Sequence, residues 1–184
     1  MSTAPRSTNP GPRTQAARLA SYLPIPLTQQ ILRDGLPVPG QPHPFTAATL
    51  FADISGFTRL AELLATDGPR GAEELNRILQ MTFTAMINGI HTTGGEVAHF
   101  HGDAMSIYFP DDDNQAAARA LACAQLMQRL MLTSFQQVTV NPSPKQRATV
   151  DLTMKIGLGY GDCLTLVVGE LDKQLESVLV GPAV

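Results

Sequence analysis

The sequence predicts an α+β fold, a ferredoxin-like split βαβ unit in which one antiparallel sheet carries helices on one face. Short apolar or alternating segments indicate strands, and two longer segments repeat apolar residues at helical spacing. Their order is strand, one or two helices, two strands, helix and strand, which is the order of the split βαβ pattern. Many functions use this fold, so the function has to be inferred from particular residues.

The first predicted strand covers residues 45–57, where an almost continuous apolar run suits a central position in a sheet. A short helix with three leucines follows and ends at a turn over 66–71, which contains Gly and Pro. A long helix then covers 72–91, with apolar residues at i, i+3 and i+4 spacing, and Thr93-Gly94-Gly95 ends it.

The second half contains a predicted hairpin, a helix, a polar loop and three strands. In chain order these are strands 95–100 and 104–109 joined at His101-Gly102-Asp103, a helix over 111–132, a loop over 141–146, and strands over 149–160, 163–169 and 175–180. Carboxylates at 111–113 suit the start of that helix. The clean alternation of 149–160 is typical of a half-buried strand.

Composition excludes several classes of protein. With 184 residues and 43% apolar residues, the chain can bury a core. No apolar run is long enough for a membrane span, and no apolar stretch near the start marks a secretory signal, so a cytoplasmic protein is expected. The net charge of −3 argues against a nucleic-acid binder with a basic surface. Cys123 and Cys163 are too few for a disulfide scaffold and are expected to be buried core residues.

The distribution of proline divides the chain into two parts. Nine of the 14 prolines fall in residues 1–44, which we interpret as a Pro-rich tail, a short broken helix within 17–33, and a linker. Residues 45–184 are expected to form the folded domain.

Two carboxylates are the best candidates for chemistry. Asp53 follows the apolar part of the first strand, and Asp103 lies at the tip of the predicted hairpin. The first strand and the hairpin are central neighbours in this fold, so the two side chains can converge and hold Mg²⁺ with a triphosphate. The turn 54–57 can direct N–H groups at phosphate oxygens. The alternative is structural: Asp53 caps the following helix and Asp103 is a turn residue.

Three strings carry a resemblance to a known family. They are Phe51-Ala-Asp-Ile-Ser-Gly-Phe-Thr58, Gly94-Gly-Glu-Val-Ala-His-Phe-His-Gly-Asp103-Ala-Met-Ser-Ile-Tyr-Phe109, and Lys155-Ile-Gly-Leu-Gly-Tyr-Gly161. From about residue 45 to 184 the chain resembles the class III adenylate/guanylate cyclase catalytic domain, and most of all the first half-domain of the bicarbonate-responsive soluble adenylyl cyclase subgroup.

The resemblance implies conversion of ATP, or of GTP, to a cyclic nucleotide and pyrophosphate by two-metal catalysis. Asp53, Asp103 and the Ile54 carbonyl would hold two Mg²⁺ or Mn²⁺ ions. The family builds its sites between two cyclase domains, so a homodimer or a heterodimer is implied. The residues implied to contact the nucleotide are Ile54, Ser55, Gly56, Phe57, Thr58, His99, Gly102 and Val178.

This sequence departs from the family pattern at three places. His99 stands where a purine-reading Lys is usual, and Val178 stands where Asp or Thr is usual. The family's Asn and Arg that stabilise the transition state would follow Val184, so a cyclase domain that lacks its C-terminal part is expected. We therefore expect a first-half domain, inactive alone, that a second cyclase domain completes. The alternative is a catalytically inactive regulatory or dimerisation module that binds nucleotide.

His99 and His101 form a His-x-His pair two residues before Asp103, which is a possible zinc-ligand spacing. The favoured alternative places one histidine inside the domain and the other in the hairpin turn.

Overall fold

The computed structural model describes residues 25–143, 146–170 and 173–184. The chain separates into two compact units, Met1–Val38 and Pro39–Val184. The described part of the first unit contains helix α1 (Ile25–Asp34). The predicted tail 1–16 and the first part of the predicted broken helix lie outside the described residues, and the division of the chain at Pro44 stays a prediction. Across the described residues, no helix combines the length and apolarity needed to span a bilayer.

The second unit contains the sheet and its helices. In chain order its elements are β1 (His43–Ser55), α2 (Phe57–Ala65), α3 (Pro69–Thr92), β2 (Glu96–His101), β3 (Ala104–Pro110), α4 (Ala116–Leu130), a π-helical turn (Met131–Phe135), β4 (Gln137–Ser143), β5 (Gln146–Asp151), β6 (Thr153–Glu170) and β7 (Gln174–Val180).

The main sheet has five strands in the order β2-β3-β1-β6-β7, and each neighbouring pair is antiparallel. β1 is the central strand because its apolar run can be covered on both faces. Its residues Leu50, Ala52 and Ile54 point into one core with the helices α2, α3 and α4. The predicted α+β fold, with one antiparallel sheet and helices on one face, is confirmed.

The opposite face of the sheet carries a second group of buried side chains. Ala47, Tyr108, Cys163 and Val167 are all at most 6% exposed and lie outside the helix-side core. Gly40 donates its amide hydrogen to the Val167 carbonyl at 2.7 Å, so β6 is tied to the segment that leads into β1. Burial raises the pKa of the Cys163 thiol, which fits the predicted inert core cysteine.

Residues 141–143 and 146 of the predicted loop 141–146 lie in strands, and the single predicted strand 149–160 is wrong, because two strands cover it. β4 and β5 form a separate two-stranded sheet, and the chain passes from β5 to β6 at Leu152. Leu152 is fully buried and donates its amide hydrogen to the Gln136 carbonyl at 2.8 Å. The alternation of apolar residues continues through this corner, because each side of it still packs one face on the core, so the sequence pattern did not reveal the change of pairing partner.

Smaller differences concern the ends of elements. Phe57 begins α2 instead of ending the strand, and β6 joins what we predicted as two strands. α3 begins at Pro69, because proline suits the first turn of a helix. At the start of α4, Asp111 accepts the Ala116 amide hydrogen at 2.9 Å, as expected for a carboxylate at a helix N-terminus.

Candidate functional site

The sheet brings Asp53 and Asp103 to the same end of two adjacent strands. Asp53 pairs with Ala104 in the β1–β3 register, so Asp103 is one residue beyond that pair, in the β2–β3 turn. The Ile54 amide hydrogen is donated to the Asp103 carbonyl at 3.3 Å, which ties the end of β1 to the turn. Antiparallel pairing therefore fixes the backbones of Asp53 and Asp103 next to each other at this end of the sheet.

Both carboxylates are partly exposed, and neither has a hydrogen-bond or ion-pair partner among the described residues. The structural alternative for Asp53 is wrong, because Gly56 is the N-cap residue of α2 and no side chain caps that helix. The described residues contain no group of three or more His, Cys, Asp or Glu arranged for a metal ion. The donors at this corner are therefore two carboxylates and peptide carbonyls, the hard oxygen ligands that Mg²⁺ and Mn²⁺ prefer.

The turn after β1 is shaped by Gly56. Its φ of 113° lies in the left-handed region, and a Cβ there would come within 2.6 Å of the Asp151 carbonyl oxygen and 2.8 Å of Leu152 Cδ2. Phe57, 5% exposed, then anchors α2 by stacking on Phe83 with ring centroids 6.2 Å apart. The first N–H groups of α2 have no partner within the helix, so the turn directs amide hydrogens and the positive end of the helix dipole toward this corner.

Lys155 lies opposite Asp53, and the sequence analysis missed this position. It is the β6 residue paired with Asp53, so both side chains project from the same face at a Cβ separation of about 4.5–5.5 Å. Lys155 is exposed and has no ion-pair partner among the described residues. Its string was visible in the sequence, but its position across from Asp53 follows only from the strand register.

His99 and His101 lie on one face of β2, with ring centroids 6.1 Å apart. The prediction that one histidine lies inside and the other in the turn is wrong. A β-bulge between Val97 and His99 sets the register of the two histidines with β3. Phe100, which lies between the histidines, points to the helix side, where its ring centroid is 5.6 Å from that of Phe83. His101 Nε2 is 3.0 Å from Ser106 Oγ.

Val178 lies in β7. This strand reaches β2, although β2 and β7 are the two edge strands of the sheet. His99 Nε2 lies 3.4 Å from Glu176 Oε1, and Val178 is two residues further on the same face of β7. The structure thus brings the His99 side of the hairpin toward β7, and the side chain at contact distance is that of Glu176. Gly102 lies in the exposed β2–β3 turn with φ 70°. Thr58 lies exposed in the first turn of α2, and Ser55 ends β1.

A sequence profile described as the adenylate and guanylate cyclase catalytic domain matches residues 41–177. Among curated proteins, the chain is 27% identical over 142 residues to adenylate cyclase type 10 of Oryctolagus cuniculus and to that of Mus musculus. The matched region is 76% of this chain, and the chain spans only 8% of the length of these relatives.

Solved structures of cyclases have the same fold. A bacterial light-regulated adenylyl cyclase superposes with a TM-score of 0.67 and 22% sequence identity, and the match covers 93% of this chain and 46% of the cyclase chain. The adenylyl cyclase CyaB from P. aeruginosa has a TM-score of 0.60 and 22% identity, over 78% of this chain and 69% of its own. The guanylyl cyclase Cya2 has a TM-score of 0.56 and 25% identity, over 79% and 68%.

Proposed function

Because the chain belongs to the adenylate and guanylate cyclase catalytic domain family, we propose that it converts ATP to cyclic AMP and pyrophosphate at a site shared with a second cyclase domain. The observation that supports this proposal is the placement of Asp53 and Asp103 at the same end of adjacent strands, beside the Gly56 turn. The 27% identity to adenylate cyclase type 10 favours ATP over GTP as the substrate.

The donor set fits two divalent cations. Asp53, Asp103 and the Ile54 carbonyl would hold two Mg²⁺ or Mn²⁺ ions, since all three offer oxygen ligands and the carboxylates are unpaired among the described residues. When bound, such ions lower the pKa of the ribose 3′-hydroxyl and stabilise the charge on departing pyrophosphate.

The chain's own residues hold and orient the triphosphate. The amide hydrogens of the Gly56 turn and the first turn of α2 donate to phosphate oxygens, and the exposed Lys155 ammonium offsets their negative charge. This holds the ribose 3′ oxygen near the α phosphorus. The new bond joins these two atoms, the bond from the α phosphorus to the pyrophosphate oxygen breaks, and the hydroxyl proton passes to solvent.

A second cyclase domain, in a homodimer or a heterodimer, would complete the site. Val178 cannot form a side-chain hydrogen bond, so this chain offers the purine fewer polar contacts than the family pattern does. We propose that the domain acts in the cytoplasm in intracellular signalling, without nucleic-acid partners.

Replacing the carboxylates tests the proposal. We expect Asp53→Asn and Asp103→Asn, each assayed in the full chain together with a second cyclase domain, to reduce Mg²⁺-dependent cyclic AMP formation by ~100-fold or more, since even indirect partners of metal ligands cost 10–100-fold. Asp112→Asn, an exposed position before α4, is the matched control. Unchanged cyclic AMP formation in Asp53→Asn would refute the proposed function.

The second candidate function is a regulatory or dimerisation module that binds nucleotide without catalysis. The apolar side chain of Val178 at a purine-reading position favours it. Mg²⁺-dependent ATP binding without turnover, in the presence of a second cyclase domain, would select this function.

A further inference from the structure

An exposed apolar strip lies along β6 on the face of the sheet that carries the helices. The β1–β6 register pairs Leu158 with Leu50, a residue of the helix-side core, so Leu158 projects to that face. Leu158 and Tyr160, two residues further on the same face, are nevertheless more than half exposed. Asp53 projects to the opposite face, because it alternates with the core residues of β1. The strip is therefore separate from the candidate functional site.

The helix α4 runs beside this strip, and two side-chain hydrogen bonds fix the helix at its two ends. Before its start, Asp111 accepts a hydrogen bond from the Tyr160 hydroxyl at 2.6 Å. Near its end, Gln128 Nε2 donates to the Met154 carbonyl at 3.0 Å. The helix rise from 116 to 128 and the strand rise from 154 to 160 both come to about 20 Å, so helix and strand lie side by side over this length. We call the space between them the α4–β6 groove.

The groove contains a cavity of about 440 Å³ and a protruding leucine. The cavity is lined by Ala124, Gln125, Gln128, Arg129, Ile156 and Leu158. Leu121 lies one helical turn before Gln125 on the same face of α4, and it is 51% exposed. Contiguous exposed apolar side chains of this kind mark a surface at which another molecule binds. A single copy of the chain thus presents both an apolar side chain and an apolar cavity with room for one.

The two ends of the groove carry opposite charges. Arg129, on the cavity wall near the end of α4, is exposed and has no ion-pair partner among the described residues. At the other end, Asp162 follows Tyr160 by two positions on the same face of β6, and it is also exposed and unpaired within the described part of the chain. Rotation by half a turn about an axis perpendicular to the groove exchanges these two ends. Such a rotation brings the Arg129 of one copy to the Asp162 of another.

We propose that the α4–β6 groove is a docking surface for a second copy of this chain, packed antiparallel across a two-fold axis. Leu121 of each copy enters the cavity of the other, and Arg129 of each copy pairs with Asp162 of the other. A two-fold interface uses the same patch twice, so the patch has to complement itself in shape and in charge, and this one does. The face that carries Asp53 stays free, so this contact is additional to the second cyclase domain of the proposed function.

An exchange of charges between two copies tests this geometry. We expect sedimentation equilibrium at low salt, where surface charges are least screened, to show dimers of the unmutated full chain. Arg129→Asp and Asp162→Arg should each raise the dimer Kd by about tenfold, because two attractive pairs become two repulsive pairs. An equimolar mixture of these two variants should associate as tightly as the unmutated chain, since both pairs again have opposite charges. A mixture that associates no better than either variant alone overturns the proposal.

The apolar contact is tested by Leu121→Glu, which should raise the dimer Kd by about 100-fold, because it places a charge in an apolar cavity twice in each dimer. Met81→Glu is the matched control, since Met81 lies on α3 and is 53% exposed. This control should leave the Kd unchanged. Self-association that Leu121→Glu does not weaken overturns the proposal, and so does an unmutated chain that stays monomeric at its highest soluble concentration. Binding of an unrelated amphipathic helical peptide in the groove of such a monomer would identify a different occupant.

Discussion

Replacing Gly56 by alanine tests whether the turn after β1 is held against the corner between β5 and β6. The new Cβ would lie 2.6 Å from the Asp151 carbonyl oxygen and 2.8 Å from Leu152 Cδ2. Both contacts are too short for carbon, and Leu152 is fully buried, so the corner has to move. Because this corner lies under the turn that would receive the triphosphate, the substitution also moves the candidate site.

The cost has two parts. The left-handed φ of 113° costs an alanine about 1–2 kcal/mol relative to glycine. Displacing a packed side chain and a backbone carbonyl adds about 1–3 kcal/mol. We therefore expect Gly56→Ala to lower the free energy of unfolding by about 2–5 kcal/mol.

Gly94→Ala is the matched control. Gly94 has φ 77°, and a Cβ there would meet only the Arg119 side chain, at 3.4 Å from Cδ and 3.6 Å from Nε, which are ordinary contacts. We expect this control to cost about 1–2 kcal/mol, because it carries the conformational part alone. Urea unfolding followed by circular dichroism measures both variants, with the midpoint shift interpreted at an unchanged m-value. Equal destabilisation in the two variants would refute the close packing of Gly56 on the β5–β6 corner.

The remaining predictions concern Tyr160 and Lys155. The Tyr160 hydroxyl donates a hydrogen bond to the Asp111 carboxylate at 2.6 Å. This bond and the one from the Ala116 amide hold the pKa of Asp111 below its ordinary value. The hydrogen bonds therefore stabilise the fold above the ordinary carboxyl pKa, and this stabilisation is lost as the pH falls through the lowered pKa. Tyr160→Phe should therefore lower the urea midpoint at pH 7 but not at pH 2. Lys155→Ala should weaken the binding of Mg²⁺-ATP by about tenfold, measured by equilibrium titration. The control Lys173→Ala should leave this affinity unchanged. Equal effects of the two substitutions would exclude a phosphate contact by Lys155.

Local pattern was sufficient for most of the elements. The spacing of apolar residues predicted the long helix that the structure places at Pro69–Thr92. It also predicted the ends of β1, β2 and β3 to within two residues. Pattern failed at Leu152, because a strand that changes partners keeps its alternation, and hydrogen-bond pairing is not encoded in periodicity.

The sequence alone predicted a candidate site for a divalent metal and a triphosphate. Asp53 and Asp103, each at the end of a predicted strand, indicated a paired-carboxylate site, and the order of strands and helices predicted their convergence in an antiparallel sheet. The pairing follows from spacing and the rules of strand pairing, and the cyclase chemistry follows from the resemblance of three sequence strings to a known family.

Only the folded chain shows which side chains lie opposite Asp53 and His99. The register of β1 and β6 places Lys155 opposite Asp53. The path of the β6–β7 hairpin brings Glu176 to His99, at a sequence separation of 77. Neither contact can be predicted from the local sequence, because an exposed charged residue in a strand fits the same alternation of polar and apolar residues whether or not it contacts another charged residue. Their meeting depends on strand register and on the path of β6, which long-range packing and pairing fix together.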